Sequence, residues 1–88
     1  MTATPATPAG VARGNLVRDL RSLARDYSLE AHEHDSLADA DALEHAAHLI
    51  RLVGVFVHEG TYGLELGRIW IDASRTYLER IIAKRVDA

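Results

Sequence analysis

The stretch that most constrains this chain is Leu43–Val57, Leu-Glu-His-Ala-Ala-His-Leu-Ile-Arg-Leu-Val-Gly-Val-Phe-Val, its most apolar run. At about 100° per residue, Ala46, Leu49, Ile50, Leu52, Val53, Phe56 and Val57 share one face, while Glu44, His48, Arg51, His58 and Glu59 take the other. The pattern predicts an amphipathic helix. His45 projects from the apolar side, which predicts a buried, hydrogen-bonded imidazole.

Two further helical patterns flank it. Leu16, Leu20, Leu23 and Tyr27 step by helical spacing, with Asn15 as the expected N-cap, which predicts a first helix over roughly 16–33. Its apolar arc is bordered by Arg18, Arg21 and Arg25 on one side and by Asp19, Asp26, Glu30 and Glu33 on the other, as suits a helix between neighbours of unlike charge. The middle helix is expected over roughly 41–58. Ser36/Asp39 and Asp41/Glu44 both have capping-box spacing; the later start is preferred because Leu37 falls off the downstream apolar face. Gly60 stands where a helix-ending glycine belongs, and Thr61 is the expected cap of the next helix.

The third helix is expected over roughly 63–85. Leu64, Leu66, Trp70, Ile71, Ala73, Tyr77, Leu78, Ile81 and Ile82 fill an arc of about 180°, with Ile69 alone on the polar side. So wide an arc is too much for one neighbouring helix. Gly63, Gly67 and Ser74 line one edge of it and Ala47 with Gly54 form a similar lane on the middle helix, the pattern of close helix crossings. Residues 2–10 hold both prolines in a doubled Ala-Thr-Pro, so residues 1–14 are expected as a flexible N-terminal arm ahead of a single helical domain, 15–88.

At 88 residues the chain is one domain at most, with a core that benefits from a supplement. The absence of cysteine excludes disulfides as that supplement. Ten basic residues stand against thirteen acidic ones, a net −3. Four arginines and two aspartates give residues 1–29 a sum of +2, seven acids and Arg51 give residues 30–59 −6, and five basic and four acidic residues give 60–88 +1. The acidic balance argues against sequence-independent nucleic-acid binding. With no basic-then-apolar leader and no apolar run near the roughly 18–20 residues of a membrane span, the chain reads as soluble and cytoplasmic.

Chemistry-bearing residues gather around the first connection. His32 and His34 end the first helix and His45 and His48 open the second, among Glu30, Glu33, Asp35, Asp39, Asp41 and Glu44. If antiparallel helices bring these four imidazoles together, they make a candidate site for a divalent metal. The specific signatures are absent: no histidine has a glutamate three positions before it, and there is no His-Glu-x-x-His. Nothing in the sequence assigns a catalytic residue or an organic cofactor, which favours a non-enzymatic role. The serines sit in no nucleophile elbow and no phosphate-binding glycine loop is present. Arg18, Arg21 and Arg25, helped by Arg13, form the best basic row, but it spans about two turns without interleaved aromatics.

The expected fold is therefore all-α: a three-helix bundle, or a helical hairpin if Gly60–Gly63 is only a kink, completed by self-association. The leading functional expectation is a protein–protein interaction or assembly module, acting as a homo-oligomer or as a small subunit of a larger complex. Phe56, Gly67, Trp70, Ile71, Ser74, Tyr77 and Leu78 are its expected interface or core anchors, and Arg18, Arg21 and Arg25 a partner-docking face. A metal-binding protein using His32, His34, His45 and His48 is the alternative, and a small DNA-binding regulator the third reading.

Overall fold

Each of the first two helices begins where a hydroxyl can satisfy an orphaned backbone donor. In the computed structural model, which describes residues 7–87, Thr7 Oγ1 accepts from the Gly10 amide at 3.0 Å and caps α1 (Pro8–Ala31). Ser36 Oγ accepts from the Asp39 amide at 3.4 Å and caps α2 (Leu37–Glu59). The third helix, α3, covers Leu64–Asp87. The described residues contain three helices and no strand, an all-α three-helix bundle.

Two starts differ from the expected ones, for a common reason. Pro8 acts as a helix initiator rather than a breaker: at the first helical position its missing N–H is one of the unsatisfied donors anyway, and its fixed φ suits the helix. Residues 8–14, expected in the arm, are thus the first turns of α1, and Asn15 lies inside it. Residues 1–6 of that arm lie outside the described residues. Likewise α2 starts from the Ser36 cap, before Asp41. Leu37 is indeed off the core face, 81% exposed, but one exposed side chain does not stop a capped helix from starting.

The link between α2 and α3 is a turn, not a kink. Gly60 takes φ +83°, the left-handed region that glycine enters without a Cβ penalty, and its N–H donates to the Val57 carbonyl at 3.1 Å. The Tyr62 amide reaches back to the Phe56 carbonyl, also at 3.1 Å, and the two rings pack at 5.2 Å between centroids with a 56° tilt. That pair folds the turn over the end of α2. The Gly67 amide donates to the Gly63 carbonyl, so α3 starts without Thr61 as its cap.

With short connections α1 and α2 are antiparallel and α1 and α3 parallel. Leu20, Ala24, Tyr27, Ala47 and Val57 are essentially sealed in the core. Seven buried apolar side chains come from α1 and five from α2, but only Ile71 and Leu78 from α3, although α3 is as long as α1. The molecule measures 56 × 22 × 18 Å, and its radius of gyration of 15.4 Å exceeds the roughly 12 Å of a spherical domain of this size. It is a rod whose third helix is the least covered.

Candidate functional site

Two polar contacts and one steric one tie α3 to α1. At the turn end, Gly67 sits against Leu16 and Val57, where a Cβ would lie 2.6 Å from Leu16 Cδ2 and 2.9 Å from Val57 Cγ2. In the middle, the Tyr27 hydroxyl donates to the Ser74 carbonyl at 2.6 Å. At the far end Arg85 donates through Nε and Nη2 to Glu30 Oε2 and Oε1, at 2.6 and 2.9 Å. His34 Nε2 meets Glu30 Oε2 at 2.9 Å. Glu30 is the one buried charged side chain among the described residues, and three donor atoms surround its carboxylate.

The electrostatics follow from this geometry. The hydrogen bonds from Arg85 hold the Glu30 carboxyl below its ordinary value; burial opposes them and His34 assists. Burial lifts the Tyr27 phenol above its ordinary value, and the neighbouring Tyr77 adds to the rise. The pairing also uses the acidic flank of α1, since Arg85 feels Glu33 as well as Glu30. On the other flank Arg18, Arg21 and Arg25 are exposed, and among the described residues only Arg18 has an acidic neighbour, Asp19 at 3.8 Å in its own helix. Facing α2, Ser28 accepts from Arg51 at 3.3 Å and donates to Glu44 at 3.2 Å.

The four histidines named from the sequence are not gathered into one cluster among the described residues. His34 is taken up by Glu30, and His32, His45 and His48 are exposed. No group of three or more His, Asp or Glu side chains among the described residues is disposed to hold a metal ion. His45 is a correction: it is exposed rather than buried, because the sealed arc of α2 is centred on Ala47, Ile50, Gly54 and Val57 and leaves position 45 outside. Near His34, a cleft of about 810 Å³ opens between the end of α1, the start of α2 and the end of α3. Leu43, Ala46 and Ile81 line its apolar part, and Glu33, Asp35, Asp39 and Lys84 its charged part.

The expected anchors divide into two groups. Gly67, Ile71 and Leu78 are buried in the chain's own core; Ser74 and Phe56 are partly buried, against Tyr27 and Tyr62 respectively. Trp70 and Tyr77 face outward, 37% and 60% exposed. They belong to a stripe that also holds Leu66, Ile69 and Ala73, all of them exposed. The stripe occupies about 100° of the helix surface and runs for roughly 17 Å. Trp70 and Tyr77 wall an open hollow of about 410 Å³, with Ala73 and Ile69 on the same helix and Tyr27 behind.

Ile69, expected alone on the polar side of α3, is a member of this stripe. Its spacing from Leu66 and Ala73, three and four positions, was the available signal. The broad apolar arc of α3 is in fact two adjoining faces: one holds Ile71 and Leu78 against the bundle, and the other is this stripe.

The molecule is thus an all-α three-helix bundle with a half-buried ion pair closing one end and an uncovered apolar face on its third helix. The chain matches no protein-family model, and no curated protein or solved structure resembles it closely enough to count as a match. Among the described residues no helix is long and apolar enough to cross a membrane.

Proposed function

We propose that this protein is a small helical assembly module, acting as a homo-oligomer or as a small subunit of a larger complex, and that the outer face of α3 is its docking surface. The observation that carries this reading is the stripe Leu66, Ile69, Trp70, Ala73 and Tyr77, in which large apolar side chains lie between 37% and 60% exposed on consecutive turns. Scattered exposed leucines are ordinary on soluble proteins, whereas a contiguous apolar stripe with two aromatic side chains has the composition of an interface centre. The sparse burial of α3 supports the same reading. Covering this face adds apolar burial that a chain of this size lacks by itself.

The test is solution mass by light scattering across a concentration series, for the wild type and for Ile69→Glu. The expected result is a defined species heavier than the 9.7 kDa chain, reduced to the monomer by Ile69→Glu with helicity unchanged. A wild type that stays monomeric throughout, with the same solubility and melting temperature as Ile69→Glu, overturns the reading.

A further inference from the structure

Resting on that reading, we infer that the occupant of the α3 face is a second copy of this chain, packed antiparallel to the first about a two-fold axis passing near Ala73. The stripe can pack on a copy of itself about that residue. In an antiparallel pair centred at 73, residue i of one helix lies level with residue 146 − i of the other. On one flank of the contact line Trp70 then meets Tyr77 of the second copy, on the other Ile69 meets Thr76, and near the line Leu66 meets the Arg80 stem. Trp70 and Tyr77 pair reciprocally, and the smallest member, Ala73, lies on the axis where the backbones come closest. Side chains of the second copy fill the hollow between Trp70 and Tyr77, and this copy reciprocates, as an isologous interface requires.

The spacing agrees with this packing. Leu66, Trp70, Ala73 and Tyr77 step by four, three and four, the interval of a two-helix seam, and Arg80 and Lys84 continue it by three and four. Charge then selects the direction. The seam starts beside Glu65 and ends on Arg80 and Lys84. Parallel pairing sets Arg80 against Arg80 and Lys84 against Lys84. Antiparallel pairing lays the Arg80 stem over Leu66 of the second copy and carries its guanidinium to Glu65. Glu65 and Arg80 lie on the same flank of α3, and antiparallel helices bring like flanks together, so two such pairs form per dimer. Each end of the face is charged to receive the opposite end of the same face, which singles out a second copy as the partner.

Charge reversal tests this directly, because the four charges are exposed and lie outside the core. Arg80→Glu and Glu65→Arg are each expected to weaken dimerisation about tenfold or more, by placing two like pairs at the interface. An equimolar mixture of the two variants is expected to recover near-wild-type affinity as a heterodimer, since one pair then stands as in the wild type and the other with its charges exchanged. The absence of cysteine allows an independent readout: Ala73→Cys is expected to form a disulfide-linked dimer on mild oxidation, and Leu66→Cys alone to form none. A wild-type oligomer that single reversals leave unchanged, or that Leu66→Cys cross-links, overturns the antiparallel pairing while leaving the α3 docking face standing. A wild type that is monomeric at every concentration overturns both.

Discussion

Arg85 grips Glu30 with two hydrogen bonds, at 2.6 and 2.9 Å, and so fastens the last turns of α3 to the end of α1 across 55 residues of sequence. The carboxylate is buried while the guanidinium stem is about one-third exposed, so the two partners are not equivalent. Removing Arg85 leaves a carboxylate in the interior with only His34 beside it. Removing Glu30 leaves a cation that water can reach. Arg85→Met is therefore expected to lower the melting temperature more than Glu30→Met at neutral pH. The double variant should lie closer to wild type than the sum of the two, because an apolar pair carries no desolvation cost. Thermal unfolding followed by circular dichroism checks the order; equal losses for the two single variants would contradict it.

The same pair sets the acid limb of stability. Glu30 has a lower carboxyl value in the folded chain than the ordinary 4.5, so folding favours its ionised form. That contribution is complete above about pH 4.5 and is lost as the pH falls through the depressed native value, where Glu30 protonates in the folded state as well. The melting temperature of the wild type is expected to fall between pH 5 and pH 3 more steeply than that of Glu30→Gln. Parallel curves for the two proteins would show that other carboxylates govern the acid transition.

Two glycines in helices should respond oppositely to alanine. At Gly67 the added Cβ meets Leu16 Cδ2 at 2.6 Å and Val57 Cγ2 at 2.9 Å, and Val57 is a sealed, β-branched neighbour with little room to yield. Overpacking of this kind costs about 1–3 kcal/mol, against a gain of about 1 kcal/mol in helix propensity. Gly67→Ala should therefore be neutral to destabilising by about 2 kcal/mol, and Gly67→Val clearly worse. At Gly14 nothing lies within 4 Å of the added atom, so Gly14→Ala should stabilise by roughly 0.5–1 kcal/mol. Chemical denaturation of the three variants measures all of these, and a destabilising Gly14→Ala would refute the placement of α1 over its first turns.

The helices were legible in the sequence because burial leaves a 3.6-residue imprint: Leu16, Leu20, Leu23 and Tyr27 mark the core side of α1, as Ile50, Val53 and Val57 mark that of α2. Gly60 was legible too, since few residues other than glycine take φ +83°. The starts were harder. Pro8 and Ser36 act through one local hydrogen bond each, and a proline reads equally as a breaker or an initiator. Apolar side chains also overstate burial: the apolar arc of α2 is wider than its covered arc, which is why Leu49 and Leu52 remain half-exposed and His45 lies outside the core. The type and spacing of Trp70 and Tyr77 place them on the apolar side of α3, where both are left exposed. The pairing of Glu30 with Arg85 was not legible, because nothing in a one-dimensional charge pattern says which acid of a flank meets which base of a distant helix.

Tyr27 links the interior to the apolar face of α3, since its hydroxyl donates to the Ser74 carbonyl at 2.6 Å while its ring backs the hollow beside Trp70 and Tyr77. Tyr27→Phe keeps the ring and removes only the donor, so it should cost about 0.5–1.5 kcal/mol, the usual net worth of one such bond. Because the native phenol is lifted above 10.0, folding favours its neutral form. That stability is complete below pH 10 and is lost as the pH rises through the raised native value. The cost of Tyr27→Phe should therefore shrink in alkali, and ultraviolet titration of the wild type should show one of its three tyrosines ionising later than the others. A variant in which the three-tyrosine profile loses an early-titrating group instead would mean that the Tyr27 hydroxyl is open to water and does not hold α3.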